Sequence, residues 1–547
     1  MKLYSVAQMV AAEKAADAAG HSYAQMMEIA GRSVAEAIMA RWPVAEARIL
    51  VLVGPGNNGG DGLVAGRYLA QASADVAFYL YKPRDLQTDE NFAQIQQMGL
   101  FIVEASFDQR YRVLRTRLNS SHILIDALLG TGVSRPIGGN LAQLMQQLRV
   151  GWQDDKVTLP HYPITSLPHH PPPSSPHPLI TVAVDCPSGL NCDTGELDKL
   201  ALPADLTVTF AGPKRGHFKF PGAAACGELV VADIGIAADL PAVQDVNVEL
   251  MTAVKANHLL PPRPIDGHKG TFGKVLIAAG CDRYQGAPVL AARGAFRAGA
   301  GLVALAVPEV VRQSAVISLP EATYPEVADE RVLSAKSAKM LLATIDQHDA
   351  LLLGPGLGEA ADFVTALLAA ETLPPLLVDA DGLNILAQME NWPSLLPPRT
   401  VLTPHPAEMS RLMGISLKDM LAQDRLKAAQ TQAQTWGHIV LLKGAYTIVA
   451  APTGEATLIP FASPVLAVGG SGDVLGGVIA TLLAQGLGGY DAAVLGSYLH
   501  GAVGSLTKTQ SGLLASEIAD LLPEVAQHII LPKTSSLSEK SRNLVLK

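Results

Sequence analysis

The sequence predicts an α/β protein built from two domains. At 547 residues the chain exceeds what a single hydrophobic core ordinarily organises. Apolar residues make up 49% and aromatic ones only 5%, a composition that suits dense packing of Ala, Leu and Val. Short apolar runs bounded by turn residues alternate with helical patterns along most of the length, the mark of parallel sheets covered by helices.

The first domain is expected over residues 1–240. Helical patterns at 6–19 and 23–41 lead into strand-like runs at 49–53, 76–81, 122–126 and 180–185. Shorter β-like pieces follow at 206–210 and 228–231. This reads as a Rossmann-like, three-layer domain. Residues 151–178, GWQDDKVTLPHYPITSLPHHPPPSSPHP, lack apolar periodicity and read as an exposed insertion. Their histidines, His169, His170 and His177, belong to a solvated proline-rich loop before they belong to a metal site. The second α/β domain is expected over 250–525, with strands at 274–279, 302–307, 350–353, 376–380, 438–442 and 447–451 and helices near 287–299 and 474–485. A Ser- and Lys-rich tail, 533–547, is expected to be flexible.

The net charge is −9 and there is no long basic run, which argues against nucleic acid as a partner. Four cysteines, Cys186, Cys192, Cys226 and Cys281, form no CxxC pair and read as buried thiols in a reducing compartment. The N-terminus carries Glu13, Lys14 and Asp17 and is not a signal peptide. No apolar run is long enough to span a membrane, so a cytoplasmic protein is expected.

GPGNNGGDG, residues 54–62, follows the apolar run 49–53 and precedes a helical pattern at 62–72. Its glycines fit the spacing of a dinucleotide loop, in which backbone amides approach phosphate at a helix N-terminus. The acidic residue such a loop wants is missing, however: Asp75 precedes the next strand, whose end offers Lys82 and Arg84 instead. Asn57, Asn58 and Asp61 add side-chain oxygens that a phosphate cradle does not need. Two more strand ends, IDALLGTG with Asp126 and VAVDCPSGL with Asp185 and Ser188, point oxygens at the same crevice. Taken singly, each Asp reads as a cap or turn residue.

The stretches GPGNNGGDGLVAGRYLA, IDALLGTGVSRPIGG and VAVDCPSGLNCDTG resemble the epimerase domain of bifunctional NAD(P)H-hydrate repair enzymes. The resemblance implies that Asn57, Asn58, Gly59, Gly60 and Asp61, with Gly130, Thr131, Gly132, Val133, Ser134, Arg135 and Pro136, border the hydrated nucleotide. It implies a potassium ion held by Asn58, Asp126 and Ser188. Asp185 would contact the hydrated ring and take part in proton transfer. The insertion and Ile29 depart from the family pattern.

AVGGSGDVLGGVIATLL, 467–483, sets small residues and an acid before a helix. Gly470, Ser471 and Gly472 can present N–H groups to developing negative charge, with Asp473 beside them as a general base. A helix N-cap is the plainer role for that Asp. There is no Walker A sequence. Together with HKGTFGKVLIAAG, YQGAPVLAARGAFRAGAGLV, LTPHPAEMSRL and LLKGAYTIV, this stretch resembles the ribokinase-like dehydratase domain of the same repair enzymes. By that resemblance Ala287, Gly356, His405 and Asp473 contact the hydrate, and Lys443, Gly444, Ala445, Tyr446, Thr447 and Gly472 hold an adenine nucleotide. Ser471 stands where many relatives have Thr.

The reading that results is an isomerase joined to a lyase. It interconverts R and S NADHX and NADPHX and dehydrates the S form with ADP, giving NAD(P)H, AMP and phosphate. Magnesium is expected with the nucleotide because it offsets phosphate charge, and a homo-oligomer is expected. Two rivals are an NADP-dependent oxidoreductase fused to a small-molecule kinase, suggested by Lys82 and Arg84, and a non-catalytic nucleotide sensor.

Overall fold

The computed structural model describes residues 1–132, 135–153, 179–328, 331–507, 509, 511–530 and 544–546. Two compact units result, one of residues 1–246 with the end of the chain and one of residues 247–534.

In the first unit seven strands pair in parallel: β1 (Arg48–Val53), β2 (Asp75–Leu80), β3 (Phe101–Glu104), β4 (Ile123–Ala127), β5 (Ile180–Val184), β6 (Leu206–Phe210) and β7 (Glu228–Ala232). Their order is β7-β6-β5-β4-β1-β2-β3. Successive side chains of a strand point to opposite faces, and β1 shows why its run is apolar throughout. Ile49, Val51 and Val53 pack on one face with Val34, Ile38 and Leu63, while Leu50 and Leu52 pack on the other with Leu114, Leu118 and Leu144. Both faces are covered, as a parallel sheet requires.

The chain behind β1 differs from the expected loop. The helix that follows spans Asn57–Gln71, so Asn57 to Asp61 lie in its opening turns rather than ahead of it. The glycines serve close packing. A Cβ on Gly59 would overlap the Gly54 carbonyl oxygen, and one on Gly62 would stand 2.5 Å from the Ala127 Cβ. The helix is thereby pressed onto the carboxyl ends of β1 and β4. Other boundaries also move. β3, whose apolar run 100–103 is not among the expected strands, is an edge strand only partly buried. The helix Gly139–Gln153 takes in the first three residues of the expected insertion; the rest of that insertion, with its three histidines, lies outside the described residues. Of the expected flexible tail, Leu544–Leu546 forms an antiparallel strand beside β7.

The second unit holds β8 (Val248–Leu250), β9 (Lys274–Ala278), β10 (Leu302–Ala306), β11 (Ala350–Leu353), β12 (Leu376–Val378), β13 (Val401–Leu402), β14 (Ile439–Leu442), β15 (Ile448–Ala450) and β16 (Ala456–Leu458). Their order is β10-β9-β11-β12-β13-β14-β15-β16-β8. Pairing is parallel from β10 to β14; β14 and β15 then form an antiparallel pair. Helices Gly286–Arg297, Ser471–Ala484, Gly489–Leu506 and Ala515–Ile529 share one core with the sheet. The first two touch backbone to backbone. A Cβ on Gly294 would overlap the Val474 carbonyl oxygen, and one on Gly477 the Ala291 carbonyl oxygen. Among the described residues no helix is long and apolar enough to cross a membrane.

The close helix pair predicts a stability effect. Gly477→Ala should destabilise the second unit by about 1–3 kcal/mol, because overpacking outweighs the gain in helix propensity. Gly469, which has no atom within 4 Å of a built Cβ, is the control. Its change to Ala should stay within about 0.5 kcal/mol in denaturant unfolding.

Candidate active sites

In the first sheet the strand order reverses between β1 and β4. Chains leaving the carboxyl ends of these two strands diverge and open a crevice, the usual ligand position in a parallel α/β sheet. A cavity of about 620 Å³ lies there. Its walls include Asn57, Asn58 and Asp61 from the helix after β1, residues 128–132 and 135–138 from the chain after β4, and Asp185 after β5. Gly130, Thr131, Gly132, Arg135 and Pro136 line this cavity; Val133 and Ser134 are outside the described residues. Gly59 and Gly60 are buried in the helix, and a Cβ on Gly60 would meet the Met27 Sδ at 2.5 Å.

Behind this cavity three oxygen-bearing side chains converge. Asp126 is fully buried and accepts hydrogen bonds from Ser188 Oγ (2.6 Å) and Ser188 N (2.9 Å). Ser188 Oγ in turn accepts from Leu129 N at 2.9 Å. Asn58 Nδ2 donates to the Leu129 carbonyl at 3.0 Å, while Asn58 Oδ1 is buried with no partner among the described residues. Burial raises the Asp126 pKa despite the Ser188 bonds. An orphaned amide oxygen beside a carboxylate and a hydroxyl is the donor chemistry of a hard cation, so these residues fit the expected potassium ion.

Asp185 sits just past β5 at φ 62°, a left-handed conformation uncommon outside glycine. Its Oδ1 accepts from Lys214 Nζ (2.6 Å) and Thr209 Oγ1 (2.8 Å). Lys214 is 1% exposed and also donates to Thr209 Oγ1 and the Phe210 carbonyl. Burial alone would raise the Asp185 pKa, but the Lys214 charge and hydrogen bond outweigh it and hold the carboxyl below its ordinary value. Asp61 has no such cation. Burial, then the charges of Asp185 and Glu13, push it well above the usual carboxylate range. Glu13, on the same cavity wall, is raised mainly by burial.

The other sequence features have local surroundings. Arg84 donates to the Gly54 carbonyl at 2.6 Å and pairs with Asp89, while Lys82 lies over the Tyr81 ring. Both cations are thus engaged locally instead of reaching for a ribose phosphate. The four cysteines are buried free thiols.

In the second sheet β11, β12, β13 and β14 are parallel neighbours, so the segments after them share one edge. Gly356 follows β11, Asp379 follows β12, His405 follows β13 and Lys443 follows β14. Lys443 Nζ donates to Asp379 Oδ1 at 2.7 Å and stands 3.7 Å from Glu408 Oε2. Burial works against its charge, but Asp379 and Glu408 raise its pKa overall. A Cβ on Gly472 would lie 3.6 Å from the same Nζ, which brings the GSGD turn to this cluster. Asp473 is in the first turn of the helix Ser471–Ala484, whose N-cap is Gly470. It is not a cap, and it accepts no hydrogen bond among the described residues. Burial, then Asp379, push its pKa up to about 7 against the pull of Lys443. Ser471 Oγ is 3.0 Å from the buried His500 Nε2.

His405 caps the helix Pro406–Leu412. Its Nδ1 accepts from Ala407 N at 3.1 Å and Glu408 N at 3.4 Å. The proton therefore sits on Nε2, and burial with the nearby Lys443 keeps the ring neutral. Glu408, raised to about 7 chiefly by burial, accepts from His405 N at 2.8 Å. Gly356 packs on Tyr284 and Ala287, a built Cβ lying 3.1 Å from that of Ala287. In the loop from Lys443 to Thr447, Arg425 fastens the backbone by donating to the carbonyls of Ala445 (2.7 Å) and Lys443 (3.3 Å). Thr447 Oγ1 donates to the Gly444 carbonyl and Tyr446 is left-handed.

Sequence reasoning missed Lys214, Thr209 and Glu13 in the first site and Asp379, Glu408 and Arg425 in the second. Two of these had a readable signal. Lys214 follows a strand in FAGPKRGHF, and Asp379 ends one in LLVDADG. Ala380, between Asp379 and Asp381, adopts φ 50° and ψ −119°, a strained conformation of the kind that gathers at functional sites.

Comparison with known proteins places both units. A family model described as NAD(P)H-hydrate dehydratase matches residues 275–525, and one described as YjeF-related protein N-terminus matches residues 23–216. A bifunctional NAD(P)H-hydrate repair enzyme of Moorella thermoacetica is 38% identical over 522 residues, covering 92% of each chain. Its counterpart in Thermofilum pendens is 34% identical over 511 residues, covering 91% of each. Among solved structures, an ADP/ATP-dependent NAD(P)H-hydrate dehydratase of Bacillus subtilis is 31% identical, spanning 52% of this chain and 99% of its own, with a TM-score of 0.44.

The buried Asp185–Lys214 pair yields a prediction. Lys214→Met leaves a buried carboxylate without its cation and should destabilise the first unit by about 3–5 kcal/mol. Adding Asp185→Asn should recover much of that loss. Denaturant unfolding of the single and double variants measures both.

Proposed function

The chain belongs to the bifunctional NAD(P)H-hydrate repair enzymes, and from that premise we propose how its two sites divide the chemistry. It is an isomerase and a lyase: the first unit is the epimerase and the second the dehydratase. The observation that carries the division of roles is the pair of unlike carboxyl groups. Asp185 is locked to a cation at one site, and Asp473 stands unpartnered beside a helix N-terminus at the other.

In the first unit the hydrated nicotinamide ring occupies the cavity between the helix Asn57–Gln71 and the chain after β4. Lys214 and Thr209 bond Asp185 Oδ1, which among the described residues leaves Oδ2 for the ring hydroxyl. Asn58, Asp126 and Ser188 would hold potassium, whose charge would compensate the buried Asp126.

In the second unit the S form and ADP meet at the edge formed by β11 to β14. Asp473, with its pKa near 7, takes the proton of the ring hydroxyl as that oxygen attacks the terminal phosphorus of ADP. The N–H groups of Ser471 and Gly472 face the charge that develops on the transferring phosphoryl group. AMP departs; loss of phosphate together with a proton from the neighbouring ring carbon then gives NAD(P)H. Lys443 balances the nucleotide's negative charge, and Arg425 keeps the 443–447 loop in shape for the adenine nucleotide. His405, Ala287 and Gly356 contact the hydrate. Magnesium accompanies the phosphates and offsets their charge.

Three outcomes test this. Asp473→Asn should keep nucleotide binding and lower ADP-dependent dehydration by about 100-fold or more. In the wild type, kcat/KM for dehydration should rise as pH passes about 7, because the base is the ionised form of a raised carboxyl; near-normal turnover by the variant would sink the assignment. Asp185→Asn should abolish epimerisation and spare dehydration. Chromatography of a mixed epimer pool with ADP should then show S consumed and R left over.

Potassium chloride should raise the unfolding temperature above that in choline chloride of equal ionic strength, as a native-state ligand does. Asn58→Ala should remove the difference.

A further inference from the structure

Water adds to an enamine with its hydroxyl on the carbon beside nitrogen, so a hydrated dihydronicotinamide is a cyclic hemiaminal. Such a centre inverts when its ring opens and recloses. Opening needs a base at the hydroxyl and an acid at the ring nitrogen at the same moment. The first unit has been given its base; the acid remains to be found.

Asp61 stands in the place of an acid. It lies on the helix Asn57–Gln71, one wall of the cavity, while Asp185 ends β5 on another, with β4 between β1 and β5 in the sheet. It is 8% exposed, and its carboxyl group accepts no hydrogen bond among the described residues. A buried carboxyl kept for structure would be capped or bonded, as Asp126 is. Asp61 is also in the second turn of its helix, beyond the reach of the terminal dipole that favours anions. Lys214 is bonded to Asp185, so a cation bonds only one of the two carboxyl groups.

We propose that Asp61 is a catalytic residue of the epimerase, the acid that works opposite Asp185 when the hydrate ring opens and recloses; this rests on the epimerase reading of the first unit. Asp185 Oδ2 takes the hydroxyl proton, the carbon–oxygen bond becomes a carbonyl, and the carbon–nitrogen bond breaks. Its electron pair passes to nitrogen, which takes the proton of Asp61. The intermediate is an open-chain aldehyde bearing a vinylogous amide. Rotation about the bond next to the carbonyl presents its other face. Nitrogen then adds to the aldehyde and returns its proton to Asp61, while the new alkoxide takes the proton from Asp185. Both carboxyl groups finish as they began, and no water is gained or lost.

The charged groups around Asp61 agree with this division. Asp185 and Glu13 favour its protonated form beyond what burial does, whereas Lys214 and Arg84 oppose it less strongly. Pairs of carboxyl groups whose surroundings drive them to opposite protonation states are the usual signature of an acid and a base sharing one substrate.

The test uses the full chain, a mixture of NADHX epimers and no ADP during epimerisation. Asp61→Asn and Asp61→Ser should each lower epimerisation by about 100-fold or more while leaving ADP-dependent consumption of the S form near the wild-type rate; a cooperative denaturant transition retained by the first unit reports that the unit carrying Asp61 is folded. In the wild type, epimerisation should decline at high pH as Asp61 loses its proton, and the residual rate of the variants should lack that decline. In water enriched in oxygen-18, epimers formed by the wild type should keep their original hydroxyl oxygen. A folded variant epimerising within about threefold of the wild type, or one that keeps the alkaline decline, overturns the proposal. Incorporation of oxygen-18 at every turnover overturns it too, because water loss and return would then replace ring opening; this measurement decides the matter if neither variant folds. A wild type that does not epimerise at all refutes instead the epimerase reading beneath it.

Discussion

Neighbouring strands that run parallel must all end on the same side of their sheet, and both sites are built on that constraint. In the first sheet the chain departs in opposite directions from β1 and β4, so the crevice between them receives Asn58 and Asp61 from one side and Leu128 to Gly132 from the other. The ends of β5 and β6 bring Asp185 and Thr209 up beside them. In the second sheet four adjacent parallel strands deliver Gly356, Asp379, His405 and Lys443 to one edge. Residues far apart in sequence become neighbours because strand direction leaves them nowhere else to go. The glycines then set how tightly the helices close on those strand ends.

Each site also carries more carboxyl groups than cations, and each resolves the imbalance with one buried lysine. Lys214 is committed to Asp185, and Lys443 to Asp379. The carboxyl groups left over, Asp61 in one unit and Asp473 and Glu408 in the other, carry raised pKa values. A single lysine thus fixes which acid in its cluster is ionised and which holds its proton. The same economy appears twice on unrelated sheets, so it follows from the chemistry asked of the sites more than from either fold.

The apolar runs made both sheets legible in the sequence, since strands buried on two faces cannot hide their composition. β1 and β11 show this directly. The two-residue β13 is too short to form a pattern, and the apolar run of β3, 100–103, is not among the expected strands although it is as long as that of β11. Glycine clusters and strand-end acids pointed to Asn58, Asp126, Asp185 and Asp473. The glycines of GPGNNGGDG also misled, because close helix-to-strand packing and loop freedom use the same residue. Glu408 and Arg425 had to wait for the structure, and so did the burial of Lys214. Nothing local in a sequence tells a buried lysine from an exposed one, and their partners lie 29, 35 and 20 residues away or enter through the backbone.

The first site draws its groups from five separate stretches of chain, around Glu13, Asn58, Asp126, Asp185 and Lys214. Asp185 is tolerable in a dry setting only once Lys214 has arrived, and Lys214 only once Thr209 and the Phe210 carbonyl are in place. The centre is therefore complete only when the sheet is paired as far as β6. In this unit activity should report on the integrity of the sheet from β1 to β6.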